Sequence, residues 1–476
     1  MEQILSLPWY KDKHFFKDVM RIGMPVALQN LLASTLSMID SMMIGSVGET
    51  ALAGVGMAGQ WGALLASAYW GLCSGGTMFF AQYWGAKDMK GIRKAYSVTF
   101  MTMMTVALIF CLLALFFPGW VMSVYTNDPG VQQQGVEYLQ IMSVGYLFQV
   151  AAIAASSLLR STENVKLPLI ASMASIAVNT FVNWLLIYGN MGLPKLGVRG
   201  AAIASVLAAA VNFAIIIAVS HHHGDVLAKA NQSLWKIDFH FIGEFFRKAM
   251  PIICNELFYG LAVLVINMVL GRQGADNLSA LTVFRTLEGL IFAFFTGFAN
   301  ASSVMVGKSI CAGALEQGLR ESKRFLILCP AMTMLVCLLV LLLRGPIIGL
   351  FGVSADITAT IVSMLALYTL TAPMRTANYI QVNMYRAGGE TKAGMFLEVG
   401  GIWLFGVPLV YLTGMVWNAS FLIIFLMIYV EDMVKLFIEP VYLFSARWIK
   451  PVTPQGKAEL EAFFAKRREK KMMKKA

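Results

Sequence analysis

The chain has 476 residues, of which 58% are hydrophobic and only 13% charged. A soluble domain carries roughly 25% charged residues, so most of this exterior must face something other than water. The formal charge of +11 would suit a nucleic-acid binder, but where the positive residues fall excludes that reading.

In chain order, apolar runs lie near residues 19–44, 50–80, 95–117, 137–158, 168–188 and 201–219. A second set lies near 249–270, 278–306, 325–343, 358–380, 394–413 and 418–442. Each approaches or exceeds the ~20 residues that carry a helix across a bilayer. None alternates cleanly as a barrel strand does. The runs therefore predict an all-α polytopic membrane protein with twelve transmembrane helices. The first run is too long, and lacks the cleavage site, for a removable signal peptide. The cysteines at 73, 111, 254, 311, 329 and 337 sit in or beside apolar runs without paired spacing, which predicts buried, reduced thiols.

With the N-terminus placed in the cytoplasm, only Lys195, Arg199, Arg272 and Arg344 of the 37 basic residues fall in outer connections. Arg285, Arg375 and Lys435 lie inside apolar runs, and the rest lie on the inner side. That bias orients the chain in a cell membrane with both termini cytoplasmic. The basic tail KAELEAFFAKRREKKMMKKA suits anionic lipid headgroups.

The sequence also matches itself at an offset of 226 residues. Arg21, Met24 and Pro25 meet Arg247, Met250 and Pro251, and Gly45, Gly48 and Gly71 meet Gly271, Gly274 and Gly297. The register still holds where Arg160 and Lys166 meet Arg386 and Lys392. Each copy has six runs, an even number, so both cross the membrane in the same sense. The expected architecture is two six-helix lobes, residues 1–220 and 241–445, related by a pseudo-two-fold axis along the membrane normal. Residues 221–240 form a cytoplasmic linker and 446–476 a basic tail. His221, His222 and His223 with Asp225 offer ligand atoms in that linker, but solvated histidines need no metal, and no metal is assigned.

Two similar bundles suggest a machine that opens alternately to each side. A channel would want a selectivity filter or rings of polar groups, and none is evident. An enzyme would want a catalytic motif. No HExxH or GxSxG is present, and GVGMAG at 54–59 lies inside an apolar run with no preceding strand, where close helix packing explains it.

Polar groups within the runs are the candidate site residues, because lipid makes them costly. Asp40 heads them: its carboxylate can carry a proton or, ionised, ligate sodium. Asn179 and Asn183, four apart, share a helix face, and Ser205 on the next span is placed to join them. Glu256 replaces its repeat mate Asn30 and is a candidate for a cationic substrate or for gating. Arg285, Glu288, Arg375 and Glu398 are further substrate or gating candidates. Arg285 and Glu288 are spaced to pair and are placed to line a second cavity, Glu398 is expected to be protonated or paired with Arg375, and Glu431, Lys435 and Asp432 read as internal bracing. The 30 methionines and 31 phenylalanines give weak support to a promiscuous, remouldable surface.

The MP at 24–25, IDSMMIG at 39–45, GGTMFFAQYWGAKD at 75–88, LLRSTENVKLP at 158–168 and PIICNELFYG at 251–260 together resemble the multidrug and toxic compound extrusion (MATE) family, bacterial type. The likeness spans roughly residues 15–445. It implies a two-lobed secondary antiporter, not an enzyme, that exports organic cations or other amphipathic compounds in exchange for protons or sodium. It implies no cofactor, membrane lipid as surroundings, no nucleic acid, and a single chain as the functional unit. Asp40 stands where the family carries its first-helix coupling acid, and Asn179 matches an asparagine of the first-lobe cation site. Asn183 stands where relatives often carry Asp, Ser205 near the family's hydroxyl position, and Glu256 near a second-lobe acid. A lipid-linked oligosaccharide flippase of related architecture is the alternative that would want a more cationic cavity.

Overall fold

The computed structural model describes residues 12–126, 128–232, 234, 239–349 and 354–473. In the first half, α1 (Lys13–Gly45), α2 (Glu49–Gly85) and α3 (Met89–Phe116) are followed by a short α4 (Pro118–Tyr125). Then come α5 (Pro129–Ser161), α6 (Lys166–Tyr188), α7 (Val198–His223) and a short α8 (Val226–Asn231). The second half repeats the series as α9 (Phe239–Leu270), α10 (Ala275–Cys311), α11 (Leu315–Leu342), a short α12 (Arg344–Gly349) and α13 (Ala355–Ala387). It continues with α14 (Thr391–Gly401), α15 (Val407–Tyr411), α16 (Phe421–Met427) and α17 (Val430–Ser445). Two further helices, α18 (Pro454–Ala458) and α19 (Leu460–Met473), lie in the tail.

The offset of 226 residues governs element boundaries as well as sequence. The ends of α2 and α3 recur in α10 and α11 at that spacing, and those of α5 recur in α13. The caps repeat too. Asp128 caps α5 through the amides of Gly130 and Val131, and its mate Ser354 caps α13 through Ile357. Where the second half turns on Gly313 and Gly389 at positive φ, the first half uses Lys87 and Glu163 at φ of 56° and 66°.

Ten helices among the described residues are long and apolar enough to cross a membrane. Two of the twelve expected runs are not among them. The run at 50–80 does form the continuous helix α2, but its glycines, Gln60 and hydroxylated aromatics dilute the hydropathy. The run at 418–442 is divided between α16 and α17. The run at 394–413 is also irregular: π-turns at Ile402–Gly406 and Leu412–Val416 interrupt it. Gly400, Gly401 and Gly406 loosen the helix there, and Pro408 lacks the amide that would close an α-turn. The proposed linker and tail lie partly outside the described residues, at 233, 235–238 and 474–476.

Two compact units partition the chain. One comprises Leu28–Phe80 and Met89–Ile253; the other comprises the described parts of Met1–Ala27, Ala81–Asp88 and Cys254–Ala476. Each unit thus incorporates the opening turns of the other half's first helix. The cause is close helix approach through small residues. In the first unit, a Cβ on Gly71 of α2 would come 2.9 Å from the Cα of Ile253 on α9. In the second, a Cβ on Gly297 of α10 would come 2.6 Å from the Cβ of Ala27 on α1. Gly71 and Gly297 are repeat mates, as are Ala27 and Ile253, so the exchange is reciprocal.

Each unit has its own core. In the first, Trp61, Leu65 and Tyr69 pack with Met103, Leu139, Tyr146 and Val150. In the second, Phe284 meets Tyr368 and Phe425 edge-on at 5.3 and 4.9 Å. The tail begins buried in the same unit: Trp448 is fully buried beside the Tyr385 ring, and its indole N–H donates to the Leu443 carbonyl. The amide of Val452 donates to Gln82, which in turn donates to the Ala387 carbonyl.

The start of α1 is fixed by Asp12, whose carboxylate meets Arg324 at 2.6 Å with both side chains buried. Phe15 packs edge-on against Phe325 beside it. Burial alone would raise the Asp12 carboxyl, but the Phe15 amide and the Arg324 guanidinium outweigh it and hold the group below the usual carboxylate range. Stability from a depressed carboxyl is present above the unfolded value and is lost as pH falls through the folded one. Asp12→Asn is expected to cost about 3 kcal/mol in thermal unfolding of the detergent-solubilised protein at neutral pH, because Arg324 is left buried without its counter-ion. The gap between variant and parent should close as the pH is taken below the ordinary carboxylate range.

Candidate ion and substrate sites

The first site is built by α1, α6 and α7. Asp40 lies in the second-last turn of α1. Asn179 and Asn183 project from one face of α6 and are both buried. The Asn183 amide donates to Asp40 Oδ1 at 2.6 Å and to Asn179 Oδ1 at 2.9 Å. The Asn179 amide reaches Ser205 Oγ on α7 at 3.5 Å. The four residues singled out in the sequence thus form one chain of polar contacts. Sequence reasoning missed Tyr138 of α5, whose hydroxyl joins the cluster at Ser205. A single tyrosine in an apolar helix carries no signal of its own.

The next turn of each helix toward the α1–α2 and α6–α7 connections is apolar. Ile44, Ala51, Ile187, Val198 and Ala201 pack there as one buried cluster. The half-buried carboxylate therefore has an apolar layer on that side. Asn183 Oδ1 is buried and has no hydrogen-bond partner among the described residues. An orphaned acceptor beside a carboxylate and further oxygens is a donor set suited to a hard cation or a proton-bearing species. The second half cannot repeat it, since the mates of Asp40, Asn179 and Asn183 are Ile266, Phe405 and Leu409. The mate of Ser205 is Glu431.

Among the described residues, the candidate residues of the second half fall into three ionic groups. Glu288 on α10 accepts from Arg285 at 2.7 Å and from Arg375 on α13 at 2.6 Å, with the Tyr429 hydroxyl at 3.3 Å. Arg375 also lies over the rings of Phe292 and Tyr429. The expected pairing of Arg285 with Glu288 is therefore present. The expected pairing of Glu398 with Arg375 is not. Glu398 instead accepts from Asn255 at 2.6 Å and from Arg386 at 3.2 Å. Arg386 holds Glu256 at 2.9 Å as well. Arg375 sits about three turns from Arg386 on α13, so each carboxylate is served by the arginine at its own depth.

The third group is on α17. Lys435 pairs with Glu431 at 2.9 Å, and Asn378 donates to Asp432 at 3.0 Å. The absence of a side chain at Gly401 makes room for Lys435. Glu439, which sequence reasoning passed over, is fully buried with both carboxyl oxygens unpartnered among the described residues. In the linker, Asp225 is committed to structure: it caps α8 through the amides of Leu227 and Ala228 and accepts from Ser220. Among the described residues no group of three or more His, Cys, Asp or Glu side chains is placed to hold a metal.

Many long apolar helices around a few buried ionic groups define a polytopic helical membrane transporter. The MatE family model matches residues 25–185 and again 251–412, following the internal repeat. The chain belongs to that family: it is a bacterial-type MATE transporter and not an enzyme. It is 22% identical over 407 residues to the uncharacterized transporter YisQ of Bacillus subtilis, covering 85% of this chain and 88% of that one. It is 22% identical over 408 residues to the probable multidrug resistance protein NorM of Thermotoga maritima, covering 85% and 87%. Among solved structures, a MATE protein in complex with MaL6 superposes with a TM-score of 0.81 at 16% identity, over 90% of this chain and 97% of that chain. An outward-facing multidrug resistance MATE transporter gives a TM-score of 0.80, also at 16% identity, over 90% and 96%.

Glu288 neutralises two arginines at once, so its loss should be severe. Glu288→Gln is expected to lower stability by about 3 kcal/mol or more, read as thermal unfolding in detergent. Arg285→Gln leaves Arg375 to balance the carboxylate and should cost distinctly less.

Proposed function

We propose that this transporter is an ion-coupled antiporter that expels amphipathic organic cations, with Asp40 as its coupling acid. The reading includes twelve crossings in two six-helix lobes with both termini in the cytoplasm. The observation that carries it is the Asp40–Asn183–Asn179–Ser205 chain, with the Asn183 oxygen left unpaired behind an apolar layer. A proton or a sodium ion entering there meets the carboxylate first and completes the contacts of the asparagine oxygen. Its arrival changes what α1, α6 and α7 share, so helix packing responds to occupancy. The ion drives export only if it binds the two access states unequally. Outward opening with the ion bound favours release of the cation, and return to the inside discharges the ion.

Asn183 supports either ion. A second carboxylate at that position would favour a metal cation, whereas the amide leaves a single titratable group. Glu256, Glu398 and Arg386 form the candidate substrate or gating group of the second half. The names of the NorM relatives, multidrug resistance proteins, support an organic-cation substrate. A flippase for large anionic lipids would want a strongly cationic surface, whereas the described arginines of the second-half clusters are already paired with carboxylates.

The test is ethidium efflux from proteoliposomes given a proton gradient alone or a sodium gradient alone. One gradient should drive uphill efflux in the parent protein. Asp40→Asn should insert normally and lose gradient-driven efflux by at least about tenfold. Undiminished efflux by the variant would remove Asp40 from the coupling path.

A further inference from the structure

The internal repeat exposes one charge that has lost its partners. In the second half, Arg386 sits in the last turn of α13 and is held by Glu256, Glu398 and the network of Asn255. In the first half, its mate Arg160 sits in the last turn of α5. The mates of Asn255, Glu398 and Glu256 are Gln29, Ser172 and Asn30. The geometry is kept: Gln29 donates to Ser172 Oγ at 2.8 Å and accepts from Arg160 at 3.3 Å. The charge is not kept, because both carboxylates have become neutral side chains.

No Asp or Glu among the described residues lies within ion-pair distance of Arg160. Its Nε is buried without a hydrogen-bond partner among the described residues. The negative end of the helix dipole offers Arg160 only about half a charge. Arg386 has the same dipole and still takes two carboxylates, so the dipole alone does not satisfy a guanidinium in this setting. Replacing Glu by Ser at 172 also removes the carboxymethyl bulk that occupies the matching place in the second half.

We infer that Arg160, with Gln29 and Ser172, forms a binding site for a small organic carboxylate, which supplies from outside the chain the counter-ion that Glu398 supplies within it. The guanidinium fork matches a carboxylate through two parallel N–H donors, and the Ser172 hydroxyl donates a third. The site goes beyond the coupling reading, shares no residue with the Asp40 cluster, and is tested without transport.

The experiment is isothermal titration of benzoate into the purified full chain in chloride-free detergent buffer, with chloride titrated separately. Saturable benzoate binding is expected, weakened about tenfold or more in Arg160→Gln. Ser172→Glu restores the internal counter-ion and should abolish benzoate binding while keeping the fold intact. It therefore decides the matter even if Arg160→Gln fails to fold. Absence of saturable benzoate binding to the parent, binding of chloride without benzoate, or unchanged benzoate binding in Ser172→Glu would each overturn the assignment.

Discussion

The structure depends on the cost of a charge where water is scarce. In lipid, an ionic side chain is kept only if something nearby balances it. Glu288 with its two arginines, Arg386 with its two glutamates and Lys435 with Glu431 are the second half's answers. The Glu288 and Arg386 triads span helices and so also fix their register, whereas Lys435 and Glu431 pair within one helix. The first half leaves its charges less balanced: among the described residues, Asp40 meets the Asn183 amide rather than a cation, and Arg160 meets a glutamine oxygen rather than a carboxylate. What bracing does in one copy is left open in the other, and an open charge is what an ion or ligand can use.

The duplication makes that division readable. In the two copies, α2, α3 and α5 have the same ends as α10, α11 and α13 to the residue, and the α5 and α13 caps and the Gly71 and Gly297 contacts fall at matching positions. The copies differ where the ionic groups are placed. The Asp40 set occurs once, because its counterparts at Ile266, Phe405 and Leu409 are apolar, and the last two lie in the stretch that π-turns interrupt. The second half carries its acids on α9, α10, α14 and α17 instead. A pair of units specialised in this way can respond separately to ion and substrate while keeping one architecture.

Much of this was legible in the sequence, for physical reasons. Residues repeating at one offset through turns and caps fold alike, so the repeat located the helix ends. Asn179 and Asn183 announced a shared face through helical spacing, and Asp40 stood out because lipid penalises a carboxylate. Spacing along one helix does not reveal depth against another, which is why Glu398 was matched with Arg375 rather than Arg386. Nor does it reveal which helix a glycine face will meet. The exchange of opening turns, with Gly71 against Ile253 and Gly297 against Ala27, depends on contacts between distant segments that no local pattern encodes. Tyr138 and Glu439 were invisible for the same reason.

The most direct measurement of the central claim is the number of protons or sodium ions displaced when tetraphenylphosphonium binds the solubilised transporter. Calorimetry in buffers of different ionisation enthalpy, repeated across sodium concentrations, reads it. Coupling through Asp40 predicts that cation binding releases a proton, or competes with sodium, in the parent protein and does neither in the Asp40→Asn variant. Binding that displaces no ion in the parent, or displaces the same number in both proteins, would contradict the account.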